Sequence, residues 1–418
     1  MINHLSLRHF KSVDAADVDF GRITVFVGNN GSGKSNVVDA LRFLRDASTF
    51  GLDRAFSDRH GIESVRQWSP TKPYRMQLGV QFQDREFGAN YEFAIASVNR
   101  GYQIVHESIE IREHTTVVGD AGSDSPTALP VRRRVSIVRD KDGKTKRQAW
   151  QSPKSDDTVF HYDDVQFLLA PEIENEEEKI DNLDELIALQ QGRFGLFQFH
   201  RYSSLTRHLQ DFQAYTIYPN TLRRPQEPSN ERMLAADGSN LTSVFKSMRQ
   251  RNSGTIAIGQ ITNALKFILP GLEQISVLSV GGYLVPQFHM REASGKRHKF
   301  NVSQISDGTL RVLGLLTALY QIPRPSVIVL EEPEQTVNPA VLEVLADAIK
   351  EVSRTSQVIV TTHSPHLLDQ FSPEQVRAVE MMDGHTEVSP VGAIQAGAVR
   401  DRLFSLGELL VTEGLHGG

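Results

Sequence analysis

The sequence predicts an α/β fold with a central parallel sheet, and three observations predict it. The run Gly28-Asn29-Asn30-Gly31-Ser32-Gly33-Lys34-Ser35 fits the pattern G-x-x-x-x-G-K-[ST] in full. The β-branched run Ile23-Thr24-Val25-Phe26-Val27 precedes it, and apolar residues at helical spacing (Val37, Val38, Leu41, Leu44) follow. A second short apolar run, Ser326-Val327-Ile328-Val329-Leu330, ends on Glu331-Glu332. A helical pattern over 341–352 then leads to a third, Gln357-Val358-Ile359-Val360-Thr361. Strand, helix and strand in succession make a β-α-β unit, whose strands lie parallel with helices on their faces.

The first of these observations carries chemistry. A strand that turns through glycines into a helix N-terminus aims several backbone N–H groups at one point, where the positive end of the helix dipole also lies. That point favours a polyanion. Lys34 adds a mobile positive charge for β- and γ-phosphates, and the Ser35 hydroxyl offers a hard oxygen to Mg²⁺. A nucleoside triphosphate is the predicted ligand.

The remaining elements follow in chain order. Residues 1–30 read as two or three short strands ending in the phosphate loop, with a helix to about Asp46. From Tyr74 to about Arg139 apolar and polar residues alternate, as in Met76-Gln77-Leu78-Gly79-Val80 and Val135-Ser136-Ile137-Val138, with Gly and Asp between the runs. That pattern predicts an antiparallel sheet, with a hairpin turn at Asp140-Lys141-Asp142-Gly143. An acidic run from Glu172 to Glu185 precedes Leu186, Ile187 and Leu189, and helical patterns continue to about Gln213. From Leu234 the α/β style returns, with a polar loop leading into a helix that ends near Tyr320. The organisation expected is an N-terminal lobe over 1–164, a helical insertion over 165–230 and a C-terminal lobe over 231–418.

Composition narrows the class. At 418 residues, 39% hydrophobic and 23% charged, the chain has ample material for a globular core. It contains no cysteine, which excludes disulfides, thiolate metal sites and thiol catalysis and suits a reducing cytoplasm. No stretch approaches eighteen consecutive apolar residues and no export signal opens the chain, so no membrane role is expected. The net charge of −6 argues against wholesale coating of nucleic acid but permits a local basic patch.

The acidic end of the 326–330 run completes the other half of a nucleotide site. An apolar strand at a sheet centre delivers carboxylates to its C-terminal edge, beside the phosphate loop. Glu331 would hold Mg²⁺ there, and Glu332 would orient or deprotonate an attacking water. Thirty residues on, Thr361-Thr362-His363-Ser364-Pro365 puts an imidazole at the tip of the next strand, where it can reach a γ-phosphate.

Taken together, these motifs resemble the ABC-type ATPase heads of the RecF, OLD and Rad50/SMC group, and most closely the stand-alone AAA-type ATPases of bacteria. Leu330-Glu331-Glu332-Pro333-Glu334 looks like that group's E-E-P-E Walker B element, and Thr361-Thr362-His363-Ser364-Pro365 like its T-T-H-S-P switch. Leu7-Arg8-His9-Phe10-Lys11-Ser12 looks like its N-terminal N-F-R-S element, and Asp237-Gly238-Ser239-Asn240-Leu241 matches its D-G-S-N-L stretch. Ser306-Asp307-Gly308-Thr309-Leu310-Arg311 looks like the signature motif at a helix N-terminus. The resemblance covers about 1–50 and 230–418. It implies a P-loop NTPase fold, an ABC-type head carrying an antiparallel β subdomain and a helical insertion, with ATP and Mg²⁺ bound between two head-to-tail subunits.

The residue roles it implies are specific. Lys11, Gly28, Asn29, Asn30, Gly31, Ser32, Gly33, Lys34, Ser35 and Asn36 would bind the nucleotide, with Ser35 and Glu331 on the metal. Glu332 would activate water and His363 sense the γ-phosphate, while Ser306, Asp307, Gly308 and Thr309 would close the site from the partner copy. Three positions depart from the group's pattern: Glu331 for the more usual Asp, Thr309 for the Gln of transporters, and Asn338 where a His often stands. Gln67 and Gln81 are both candidates for the Q-loop glutamine.

Two biological readings follow from the resemblance. In one, the chain is the sensor or scaffold ATPase of an anti-phage defence system and controls a separately encoded nuclease- or toxin-like effector, with the acidic insertion as docking face. In the other, it is a repair clamp of the RecF type that holds double-stranded DNA. Its support is the segment 132–147, where eight basic residues stand against Asp140 and Asp142. A charge-protected sheet edge accounts for that segment equally well. A transporter subunit fits the E-E-P-E and T-T-H-S-P forms poorly, and the lack of a long heptad array excludes a true SMC or Rad50 arm.

Overall fold

The computed structural model describes residues 1–69, 74–83, 87–98, 101–118, 128–139, 145–152 and 209–417. The chain forms two compact units, Met1–Phe20 with Asn36–Gln210 and Met382–Glu387, and Gly21–Ser35 with Asp211–Met381 and Val388–Gly418. Strands β1 (Ile2–Phe10) and β2 (Val13–Asp19) belong to the first, and β3 (Ile23–Val27) to the second. The chain returns to the first unit within helix α1 (Lys34–Phe50), which is followed by α2 (Leu52–Ser57).

The first unit is built on a seven-stranded antiparallel sheet. Its strands are β1, β2, β4 (Met76–Gln83), β5 (Phe87–Val98), β6 (Gly101–Val118), β7 (Ala128–Arg139) and β8 (Thr145–Ser152), in the order β2-β1-β4-β5-β6-β7-β8. The alternation predicted an antiparallel sheet here, and the register agrees: Leu7 stands opposite both Ala16 and Leu78. Buried and accessible positions alternate along β2 and much of β4, as they must where one face packs and the other meets solvent. Strands β7 and β8 carry the basic segment, with Arg139 opposite Thr145, whereas the expected turn at 140–143 lies outside the described residues.

The second unit holds the parallel sheet. Strands β9 (Phe212–Tyr215), β13 (Val327–Glu331), β14 (Gln357–Thr362) and β15 (Val376–Met382) join β3 in the order β15-β3-β14-β13-β9, every neighbouring pair parallel. Every residue of β3, β13 and β14 is buried, and helices of the unit pack on the sheet. These helices include α3 (Pro219–Arg223), α4 (Leu241–Arg249), α5 (Asn252–Lys266), α6 (Asp307–Tyr320) and α7 (Pro339–Val352). Their apolar faces and the strands share one core, from Val25 and Ile328 through Leu313 and Leu316 to Leu345 and Ile349.

Two segments differ from the sequence expectation. Helical patterning was expected to run to about Gln213, yet Phe212–Tyr215 is the edge strand β9, hydrogen-bonded to β13. Leu209, Phe212 and Tyr215 recur every three residues, which imitates a helix, while Phe212 and Ala214 also alternate. A four-residue strand is too short for periodicity to decide. Strands β10 (Leu272–Val280), β11 (Tyr283–Arg291) and β12 (Arg297–Asn301) form a small antiparallel sheet that the sequence reading did not predict, and the end of β12 overlaps the start of the polar loop expected ahead of the 307–320 helix. Most of the acidic helical insertion lies outside the described residues.

Candidate active site

The register of the parallel sheet brings the predicted motifs to one edge. Strand β14 runs between β3 and β13, with Thr362 opposite Val27 and Thr361 opposite both Phe26 and Glu331. Three C-terminal strand ends therefore stand side by side. The phosphate loop leaves the first, His363 the middle one, and Glu331-Glu332 the third. This is the edge at which open α/β sheets bind ligands.

Within the loop, Gly31 and Gly33 take φ of 81° and 102°, a left-handed backbone that side chains rarely adopt. Gly28 is required for a different reason: a Cβ there would lie 2.0 Å from the Val379 carbonyl oxygen. Lys34 opens α1 and its ammonium is folded back, donating to the Gly28 carbonyl at 2.7 Å and the Asn29 carbonyl at 3.0 Å. Burial pulls its pKa below the ordinary lysine value, and the carboxylates of Glu332 and Glu334 oppose that shift. A buried cation in a cradle of main-chain amides fits a phosphate chain.

The carboxylates beside the loop are arranged unequally. Glu331 is buried at the end of β13 and accepts a hydrogen bond from the Thr216 hydroxyl at 3.1 Å. Glu332 is more open and has φ of 44°, a strained backbone for a non-glycine residue. Its N–H donates to the Thr361 carbonyl at 2.9 Å, which ties the turn to the neighbouring strand. Its carboxylate is bonded by the Gln335 amide and lies 3.9 Å from Nδ1 of His363. A buried acidic oxygen and a second, half-exposed one suit a hard cation and a water respectively.

Glu334 is the residue that the sequence reading passed over. Its side chain is 7% exposed, and one oxygen, Oε1, serves the whole switch segment. It accepts from the Thr362 hydroxyl at 2.8 Å and the His363 N–H at 2.9 Å, and lies 3.2 Å from Nδ1 of His363. It thus tethers the main chain at His363 and sets a carboxylate beside the imidazole. The E-E-P-E spacing was visible in the sequence. Nothing in the spacing said which of its carboxylates would turn inward.

The signature segment is held by another unpredicted residue. Ser306 caps α6, its hydroxyl accepting from the Thr309 N–H at 3.3 Å and lying 2.8 Å from the Thr309 hydroxyl. Arg223, at the end of α3, donates to the Asp307 carboxylate at 2.6 and 3.0 Å and to the carbonyls of Val302, Ser303 and Ile305. One guanidinium fork therefore fixes the loop that leads into the helix. Asn338, the departure from the usual His, caps α7 through a bond from the Ala340 N–H at 3.0 Å.

Two predicted residues lie in the first unit. Lys11 has φ of 50° and pairs with Asp39 at 2.7 Å, and the Asn36 amide donates to the Ser12 hydroxyl at 2.6 Å. Of the two Q-loop candidates, Gln67 is buried between His9 and His385, each imidazole 2.8 Å away, whereas Gln81 is an exposed residue of β4. No metal-binding cluster of His, Cys, Asp and Glu occurs among the described residues, and no described helix is long and apolar enough to cross a membrane.

Comparison with known proteins adds a family to this geometry. Residues 23–369 match the model described as "AAA domain, putative AbiEii toxin, Type IV TA system". A stretch of 95 residues is 38% identical to the DNA replication and repair protein RecF of Clavibacter michiganensis, covering 22% of this chain and 23% of that one. RecF of Leifsonia xyli is 32% identical over 113 residues, 27% of each chain. The matched stretch spans about a quarter of these relatives. Among solved structures, the SMC head domain from Thermotoga maritima aligns with a TM-score of 0.42 at 14% identity, covering 94% of this chain and 99% of that one. An SMC head bound to the C-terminal winged-helix domain of ScpA aligns with a TM-score of 0.45 at 16% identity, covering 95% and 99%. The family model spans most of the sequence, and the chain belongs to this AAA-domain family.

Proposed function

We propose that the protein binds and hydrolyses ATP in a site shared by two head-to-tail copies of itself, and that the nucleotide state gates its action on a separate partner. The observation that carries this reading is the sheet register, in which the phosphate loop, His363 and the paired glutamates leave adjacent strand ends. Lys34 and the amides of the phosphate loop hold the phosphates. Ser35 and Glu331 have the donor chemistry to hold Mg²⁺, which when bound neutralises phosphate charge. Glu332 accepts the proton of the attacking water, and His363, steadied by Glu334, contacts the γ-phosphate. Ser306 and the Gly308 amide at the start of α6 close over the phosphates of the partner copy. Phosphoryl transfer depends mostly on positioning and charge, so a site divided between two chains makes assembly and turnover mutually dependent.

The sensor or scaffold of a cytoplasmic defence system is the biological role that fits best. The family description mentions a type IV toxin–antitoxin system, which supports a defence setting, and our reading adds a separately encoded nuclease- or toxin-like effector as the partner. The RecF likeness favours a second role, a clamp on double-stranded DNA, in which β7 and β8 present the basic segment. The deciding measurement is ATPase rate against protein concentration, with and without double-stranded DNA, for wild type and Glu332→Gln. A rate per subunit that climbs with concentration and is lost in the variant supports the shared site. A jump with DNA selects the clamp, and indifference to DNA selects the scaffold. A rate independent of concentration, or unchanged by Glu332→Gln, refutes the shared-site mechanism.

A further inference from the structure

Among the described residues Arg311 is the largest side chain that is fully buried, at 2% exposure, on a helix otherwise packed with Leu310, Val312, Leu313, Leu315 and Leu316. A guanidinium in such surroundings is costly unless its hydrogens find acceptors. Its Nη2 donates to the main-chain carbonyl of Glu332 at 3.0 Å, while its Nε has no hydrogen-bond partner. The Gln335 N–H reaches the same carbonyl at 3.2 Å. Glu332 is the residue whose backbone stands in the left-handed region, at φ of 44°. Such a conformation is costly and persists only where its surroundings over-determine it. The start of the same helix packs on the same turn: a Cβ at Gly308 would come within 2.7 Å of the Thr336 carbonyl oxygen, and Thr336 is itself left-handed at φ of 61°.

We infer that Arg311 is a positioning residue for the glutamate that handles water. Through its bond to the Glu332 carbonyl it holds the strained turn that aims the Glu332 carboxylate. It acts from the helix whose N-terminus carries 306–309, so the helix that serves a partner's nucleotide also sets the geometry of its own subunit's carboxylate. The inference rests on the proposed role of Glu332. A purely structural residue at this place would not need a charge, since the neighbouring helix positions are filled by aliphatic side chains. Lysine would not substitute fully. It offers a compact point charge where arginine offers a planar fork that reaches one carbonyl while filling the space beside it. The carboxylates of Glu332 and Glu334 and the Tyr218 phenol favour the charged form against the burial that disfavours it.

The test compares Arg311→Met, Arg311→Lys and Glu332→Gln, alone and combined, in the full chain. Three quantities are read: kcat, the dissociation constant of a fluorescent ATP analogue, and melting temperature. Arg311→Met is expected to lower kcat at least tenfold with the dissociation constant within twofold of wild type, and Arg311→Lys to recover part of the loss. In the Glu332→Gln background, Arg311→Met is expected to remove nothing further, because the two residues act as one unit. Wild-type kcat in Arg311→Met overturns the inference, as does a rise in the dissociation constant that matches the fall in kcat. If Arg311→Met does not fold, Arg311→Lys decides alone: a lowered kcat at unchanged affinity supports the role, and wild-type kcat refutes it. Full turnover in Glu332→Gln instead shows that the assignment of Glu332 has failed, an outcome separate from any Arg311 result.

Discussion

In the second unit every residue of β3, β13 and β14 is buried, whereas in the first unit β2 buries only Val13, Ala16 and Val18 of its seven residues. A strand covered on both faces has no side chain to offer solvent along its length. Its chemistry can only appear at its ends, and there the phosphate loop, His363 and the glutamates stand. The antiparallel sheet has a free face instead. The notable feature described in its unit is an ion-pair network, in which Asp39 joins Lys11 and Arg59, and Arg59 also reaches Asp46. One unit thus sets buried charge at a sheet edge, while the other uses buried charge to brace a helix.

Substitutions at the sheet edge are expected to have the largest effects. Lys34→Ala should abolish nucleotide binding, and Glu332→Gln should leave binding intact but lower kcat about a thousandfold, roughly 4 kcal/mol of transition-state stabilisation. Isothermal titration with ATP and a phosphate-release assay separate the two. Binding retained by Lys34→Ala would break the comparison at its centre.

The brace in the first unit comes next. Asp39→Asn leaves Arg59 and Lys11 partly buried without their carboxylate, a loss of about 2–3 kcal/mol of stability once partial exposure is discounted. Burial pushes the Asp39 pKa up, but the bonds from Arg59 and Lys11 outweigh it and hold the carboxyl below its ordinary 3.8. A lowered folded pKa stabilises the native state above the unfolded value, and the contribution fades as pH falls through the folded one. Chemical denaturation below pH 4 should therefore show wild type converging on Asp39→Asn. A constant gap between the two would show that Asp39 acts through packing alone.

Glu334→Gln tests whether the edge has been built for geometry rather than for stability. The Glu334 Oε2 atom is buried without a hydrogen-bond partner, so removing the charge relieves a desolvation cost. The melting temperature should change little, because the relieved desolvation is offset by the lost attraction to Lys34 and Arg311, while kcat falls about twentyfold, near 2 kcal/mol, as the imidazole of His363 loses the charge beside it. A lower melting temperature with normal kcat would make Glu334 a structural residue.

The smallest change is expected for Arg223→Ala. Its bonds to Asp307 and three carbonyls are partly exposed, so stability should fall by only about 1 kcal/mol. The ATPase rate should shift to higher protein concentration with nucleotide affinity unchanged, because only the signature end is loosened. An unshifted concentration dependence would detach Arg223 from the partner's site.

The motifs on the second unit were legible because continuous apolar runs announce buried parallel strands, and the residues after them occupy predictable ends. The antiparallel sheet was legible through its alternation. Strand β9 was hidden by Leu209, Phe212 and Tyr215, whose spacing of three fits a helix as well as an edge strand. Strands β10 and β12 were hidden by their polar, exposed residues, whereas β11 alternates through buried Leu284, Pro286 and Phe288, a signal the sequence reading passed over.

The sequence by itself determined the family, the phosphate loop and the order of strand, helix and strand, since these depend on local spacing and the intrinsic conformations of Gly31 and Gly33. Only the tertiary structure decided that Glu334 turns inward to His363, that Arg223 grips the loop ahead of α6, and that Arg311 reaches the Glu332 carbonyl. Those bonds join residues 21 to 84 positions apart, or answer to burial that a single residue type does not reveal. A lone arginine or glutamate reads as surface charge until the fold closes around it and removes the water that would otherwise satisfy it.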